Sequence, residues 1–145
     1  MSWLNHDHKN FESAVFKCRS ACDERDWPQV QSVFGELESS YRTHVRIEEE
    51  VLFPAYEARP GAAAEPTSSL KADHTQIFHL MDHISKQLDQ GSHDSLAYDF
   101  ALLYRTLIKH HEKEEEIFLP MASEALLSDK EVILADLKSR FEDDG

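Results

Sequence analysis

Four stretches of the chain place apolar residues at alternating steps of three and four, and this period restricts the fold more than any other feature. One stretch gives Phe34, Leu37, Tyr41, His44, Glu48, Val51 and Ala55, and another gives Phe100, Leu103, Leu107, His110, Glu114, Ile117 and Met121. A third carries His8, Phe11, Val15, Cys18 and Cys22, and a fourth Leu70, His74, Ile77, Met81, Ile84 and Leu88. A stripe with this spacing covers one side of an α-helix and must be buried against other helices. Four glycines and five prolines in 145 residues leave few breaks, so the helices should be long. The expected fold class is all-α, an antiparallel, up-down four-helix bundle. One thing is out of place in it: every seam holds a histidine, and two also hold a glutamate.

Start and stop signals give the boundaries. The first helix is expected over about Asn5–Asp23, followed by a turn in which Asp26 or Trp27 is near the N-cap and Pro28 sits in the first helical turn. The second runs to about Glu57, and ARPGAAAEPTSS at 58–69 reads as the longest linker. The third spans about Ser69–Asp89, stopped by Gly91, and the fourth about Asp94–Ala125. SDKE at 128–131 is a capping box that opens a short C-terminal helix, about 129–142, with Ile133, Leu134, Leu137 and Phe141 on one side. Residues 1–145 thus read as a single domain, with the bundle over about 3–125.

The two halves match at one offset. His74 minus His8, His110 minus His44, Glu114 minus Glu48 and Pro120 minus Pro54 are each 66, and Asp7 and Asp73 precede the first pair. This reads as two repeated helical hairpins. At ~1.5 Å per residue the two arms of each hairpin are roughly 22–24 Å from ligand-type residue to turn. Folding each hairpin back therefore brings His8 level with His44 and Glu48, and His74 level with His110 and Glu114. Packed together, the hairpins gather four imidazoles and two carboxylates in one layer.

Such a layer without partners costs several kcal/mol per group, about the scale at which cations become the better solution. Imidazole suits iron, zinc and copper, while carboxylate adds negative charge and can bridge two ions. A His-x-x-x-Glu step puts both side chains on one face, a turn apart. The plain alternatives are polar residues that satisfy one another, or zinc, whose sites usually take four ligands and are often rich in cysteine. A ferritin-like site needs Glu-x-x-His, and no histidine here has a glutamate three residues before it. HEKEE at 111–115 lacks the second histidine of a zinc protease. Within HHEKEEEIFLP at 110–120, rotation by ~100° per residue puts Glu114 at ~40° from His110, on the stripe. Glu115 and Glu116 rotate to ~140° and ~240° and read as solvated, with His111 at the edge of the stripe.

The formal net charge of −13 argues against nucleic acid or an anionic membrane surface as the main partner. No apolar run approaches membrane-spanning length, the start MSWLNHDHKN lacks a signal-peptide pattern, and Cys18 and Cys22 are too few for a disulfide framework. A cytoplasmic location, as a monomer or homodimer, is the expectation. The cysteines lie about 15 Å or more along the helix from His8 and read as small buried hydrophobes. His79 and His83 project away from His74 and read as surface residues, as does His6, while His93 falls in a turn. Pro54 and Pro120 fall inside helices, where each frees a carbonyl four residues earlier and should kink the helix just past the site.

Taken together, His8, the His44-x-x-x-Glu48-Glu49…Leu52-Phe53-Pro54 run, Asp73-His74, and the His110-x-x-x-Glu114-Glu115…Pro120 run resemble a hemerythrin-like (HHE cation-binding) domain. The resemblance covers about residues 3–125. It implies a non-haem centre of two iron ions, oxo or hydroxo bridged, held by His8, His44, Glu48, His74, His110 and Glu114, with zinc as the alternative metal. It also implies binding of oxygen or another small diatomic or peroxide ligand, for sensing, storage or delivery. A di-iron enzyme acting on nitric oxide or peroxide, or donating iron for cluster repair, is the second reading, and a metal-free helical interaction domain the third. No catalytic residue is assigned beyond the ligands. The oxygen-carrying members have a second histidine four residues after the helix-3 ligand and His-x4-Asp in helix 4. This chain has Phe78 and His-x3-Glu instead, the pattern of the bacterial and regulatory branch. Two further ligand candidates are Tyr41, one turn below His44, and Glu12, four residues after His8.

Overall fold

The structure, a computed structural model, describes residues 2–122 and residue 135. Its elements are α1 (Ser2–Asp23), α2 (Trp27–Ile47), a π-helical turn (Glu48–Leu52), α3 (Phe53–Glu57), α4 (Glu65–Asp89), α5 (Leu96–Lys113) and a second π-helical turn (Glu114–Phe118). The backbone stays helical from Trp27 to Glu57 and from Leu96 to residue 122, so the described residues form four helical rods and no strand. The expected helix over 129–142 lies outside the described residues. α1 packs on both α2 and α5, and α4 packs on α5, consistent with a four-helix bundle. No helix among the described residues is long and apolar enough to cross a membrane.

The ends follow local chemistry. The Asp26 carboxylate accepts from the Gln29 N–H, with Pro28 in the first turn of α2. Gly91 ends α4 with a positive φ of 69°, a conformation that costs glycine least. α4 begins at Glu65, four residues before the expected Ser69, because Pro66 fits the first turn, where its missing N–H is not needed. The linker is correspondingly shorter than the 58–69 read from composition.

The seams are buried as the period demands along α1, α2 and α4: from His8 to Cys22, from Phe34 to Val51, and from Leu70 to Leu88. Beyond the two glutamates the register departs from expectation. Ile117 and Met121 are 51% and 50% exposed, while Phe118 and Ala122 are buried. In the same way Ala55 is only partly buried, and Leu52 and Tyr56 fill the core. The cause is the π turn at each place. The Phe53 N–H donates to the Glu48 carbonyl and the Leu119 N–H to that of Glu114, five residues back rather than four. Each turn takes in an extra residue and moves the stripe on by one. Pro54 and Pro120 follow two residues later and supply no N–H to restore the α ladder.

Two apolar clusters result. The larger holds Val15, Phe34, Leu37, Ile77, Ile84, Phe100, Leu103 and their neighbours. The smaller holds Val51, Leu52, Phe53, Tyr56, Leu70, Phe118 and Ala122. Along the α2, α4 and α5 rods the histidines and glutamates fall between them, and on α1 His8 sits at the end of the larger one.

Candidate metal centre

His8, His44, Glu48, His74, His110 and Glu114 are all buried, none more than 3% exposed. They form two overlapping groups whose ligand atoms lie within 4.8 Å of one another: His8, His44, Glu48 and Glu114, and Glu48, His74, His110 and Glu114. Both glutamates belong to both groups. Glu114 offers Oε1 to His8 Nε2 at 3.2 Å and Oε2 to His110 Nε2 at 3.4 Å. Glu48 Oε1 stands 3.5 Å from His44 Nε2 and 3.2 Å from His74 Nε2.

The other ring nitrogens are held from outside by carboxylates. His8 Nδ1 meets Glu115 at 3.1 Å, His74 Nδ1 meets Glu49 at 2.6 Å, and His110 Nδ1 meets Asp73 at 3.0 Å. His44 Nδ1 stands 3.5 Å from Asp7, an ion-pair separation. An Nδ1–H that donates to a carboxylate leaves Nε2 with its lone pair, which is the tautomer a metal needs. Lys113 in turn donates to Asp73 at 2.8 Å. Glu115, read from sequence as solvated, and Glu49 at the matching position are thus part of the centre's surroundings. Their ~140° rotation points them sideways, and the glutamate length carries each carboxylate to a histidine on a neighbouring helix.

Whether this donor set suits a cation is decided by the atoms it leaves over. Both oxygens of Glu48 and of Glu114, and His8 Nε2, are buried with no hydrogen-bond partner. His74 Nε2 and His110 Nε2 face each other at 3.1 Å while both Nδ1 atoms point at carboxylates. Unless one Nε2 takes up a further proton, two lone pairs so placed repel, and a metal ion can stand where that proton would be. Two ligands at right angles on an ion, each at ~2.1 Å, are about 3 Å apart. Each group could therefore hold a metal ion, with the two glutamates common to both.

Electrostatics point the same way. Burial works against a charged Glu48, but the groups that face it, Glu114, His44 and His74, hold it well below the usual carboxylate range. Burial pushes the four group histidines down, yet the facing carboxylates raise all of them, His74 to about 9. Tyr41 is fully buried, and burial with the nearby Glu48 and Glu114 pushes its phenol well above its ordinary value.

The two further candidates fall differently. Glu12 is in neither group, and its carboxylate instead accepts from His111 Nδ1 at 2.7 Å. The Tyr41 hydroxyl is buried with no partner. His111 itself, placed at the stripe's edge by rotation, is 1% exposed and stacks on His8 with ring centroids 4.0 Å apart. Burial first, then the neighbouring His8 and His110, push its pKa down to about 2. The signal that could have found it is the doubled histidine of the 110–111 pair. His79 and His83 are exposed. Cys18 and Cys22 are buried thiols in the larger apolar cluster, pushed by burial to about 12 and about 11.

Among known proteins, the model of the family described as "Hemerythrin HHE cation binding domain" matches residues 1–122. No curated protein and no solved structure matches the chain.

Proposed function

The chain belongs to the hemerythrin HHE cation-binding domain family, and from that premise we propose that it is a non-haem di-iron protein. Its function on this reading is to bind oxygen or a related small molecule for sensing, storage or delivery. The observation that carries the proposal is the pair of four-donor groups sharing both Glu48 and Glu114. His8 and His44 would hold one ion and His74 and His110 the other, with the glutamates common to both. Antiparallel hairpins, duplicated at the offset of 66, would account for the paired geometry: Asp7 and Asp73 each face the histidine of the next helix, and Glu49 and Glu115 each face a histidine of the other half.

Bound iron would supply redox chemistry and coordination positions open to a small ligand. The chain's own contribution is positional. The outer carboxylates fix the imidazole tautomers and orientations. The two apolar clusters flank the layer and keep bulk water from the donors. Four donors to each ion fall short of six, which leaves room for an exogenous ligand on iron. The same four would complete a tetrahedral zinc site.

Metal analysis of the purified protein, with optical spectra in air and after reduction, tests the reading. Two iron ions per chain and an absorption that changes reversibly with oxygen are expected. Stoichiometric zinc with no visible absorption would overturn the iron assignment. A chain without metal, in which His44→Ala changes nothing, would overturn the centre itself.

A further inference from the structure

The centre has matching halves, and three of the places where they fail to match gather beside His8. At the offset of 66, Glu12 corresponds to Phe78, Tyr41 to Leu107 and His111 to Val45. Glu12 and Tyr41 belong to the His8 hairpin and His111 to the other, but all three meet at His111, which stacks on His8, and each matching position is apolar. Tyr41 and His111 are fully buried, their rings 6.4 Å apart.

The count of unpartnered atoms singles out the same residues. Once the donor atoms of His8, Glu48 and Glu114 are assigned to the ions, and His44 Nδ1 to Asp7 beside it, two buried polar atoms remain: Tyr41 Oη and His111 Nε2. Leaving a buried polar group without a partner is costly, so a pair of them beside an ion site calls for an occupant. His111 is not a further ligand in this arrangement, since it joins neither four-donor group. Its ring lies parallel to that of His8, within 3°. Rings held face to face direct their nitrogens side by side, whereas ligands of one ion must converge.

The two atoms differ in kind. The Glu12 carboxylate can only accept, so His111 carries its proton on Nδ1 and presents a bare lone pair at Nε2. Tyr41 presents an O–H. We propose that Tyr41 Oη and His111 Nε2 form a donor and acceptor pair that recognises a small hydroxylic ligand at the His8 side of the centre. The ligand accepts from the phenol and donates to the imidazole. Water meets this requirement at rest, and hydrogen peroxide meets it as a displacing ligand. Azide accepts only, and its entry leaves His111 Nε2 unpaired. Tyr41 and His111 are therefore specificity-determining residues, and Glu12 is a positioning residue that fixes the imidazole tautomer. This inference rests on the two-ion reading above.

The test uses the full chain loaded with zinc, which is redox-inert, titrated calorimetrically with hydrogen peroxide and with azide. His111→Val, which installs the residue found at the matching position, should weaken peroxide and strengthen azide, shifting their affinity ratio by about tenfold or more. Tyr41→Phe should weaken both probes and leave the ratio near that of the wild type. An unchanged ratio in His111→Val would overturn the proposal, as would loss of an ion from that variant, which would make His111 a ligand. Imidazole nitrogen NMR of the zinc-loaded wild type tests it without substitution. A proton on Nδ1 and an Nε2 free of metal are expected, and a zinc-bound Nε2 would overturn it. A wild type that holds no ion would instead end the two-ion reading.

Discussion

Two layers of the bundle lie on the same seams and have opposite chemistry. In the first, Val15, Leu37, Met81 and Leu103 fill the space between the helices; in the second, His8, His44, Glu48, His74, His110 and Glu114 do. Both are buried to the same degree. The apolar layer stabilises the fold simply by leaving water, at roughly 25 cal/mol for each Å² of apolar surface. The polar layer gains nothing in that way. Its charges offset one another in part, and its glutamate oxygens stay unpartnered. The seam period therefore sets where a side chain sits, while its chemistry decides whether the position serves stability or binding. The two layers should fail in different ways when altered.

The largest effect is expected at a glutamate common to both groups. Glu114→Ala should remove both ions, because Glu114 contributes a donor to each group. Metal analysis should fall from two ions per chain to fewer than about one. A variant that kept both ions would break the contrast between the layers. His44→Ala touches one group only and should cost the ion on the His8 side first.

The opposite failure is expected about two helical turns away. Leu103 is fully buried in the larger apolar cluster, and Leu103→Ala should destabilise the protein by about 2–5 kcal/mol. Urea unfolding would measure the loss, and metal analysis should still find both ions. Stability lost with metal retained, set against metal lost in Glu114→Ala, separates the layers cleanly.

This division was largely legible in the sequence. A heptad seam records burial directly, so the six polar residues on it could be placed in the core from spacing alone, and His8, His44, Glu48, His74, His110 and Glu114 do come together. Two kinds of feature were not legible. The π turns at Glu48–Leu52 and Glu114–Phe118 each insert a residue that a fixed 100° rotation cannot foresee, so Ile117 and Met121 were expected inside where Phe118 and Ala122 are found. The other kind is lateral reach. Rotation tells which way a Cβ points, but Glu12, Glu49 and Glu115 act through long side chains on histidines of other helices. Those contacts depend on how the helices pack.

Acidity sharpens the comparison next, since only the polar layer titrates near neutrality. Burial lowers His74, but Glu48 and Glu49 raise it more, to about 9, above its ordinary value of 6.5. In the metal-free protein its contribution to stability is fully present below about pH 6.5 and fades as the pH rises through about 9. A metal ion reverses the sign, because it needs Nε2 without a proton. Metal binding should tighten over the same window and release protons. Calorimetric metal titrations near pH 7, in buffers of different ionisation enthalpy, should therefore give different apparent heats. Identical heats would show that His74 is already neutral before the ion arrives.

The smallest contrast is between two adjacent glutamates. Glu115 is 32% exposed, with Oε1 3.1 Å from His8 Nδ1, while Glu116 is exposed. Both rotate off the stripe, and composition cannot tell them apart. Removing an outer carboxylate frees the imidazole to turn and to change tautomer, so Glu115→Ala should weaken metal binding by about 10–100-fold. Glu116→Ala removes only a solvated charge and should change affinity by no more than about twofold. Competition against a chelator of known affinity would measure both. Equal losses would mean that the negative charge of the helix surface, rather than the hold on His8, supports the ion on that side. A loss confined to Glu115 would place the boundary of the polar layer between two neighbouring residues.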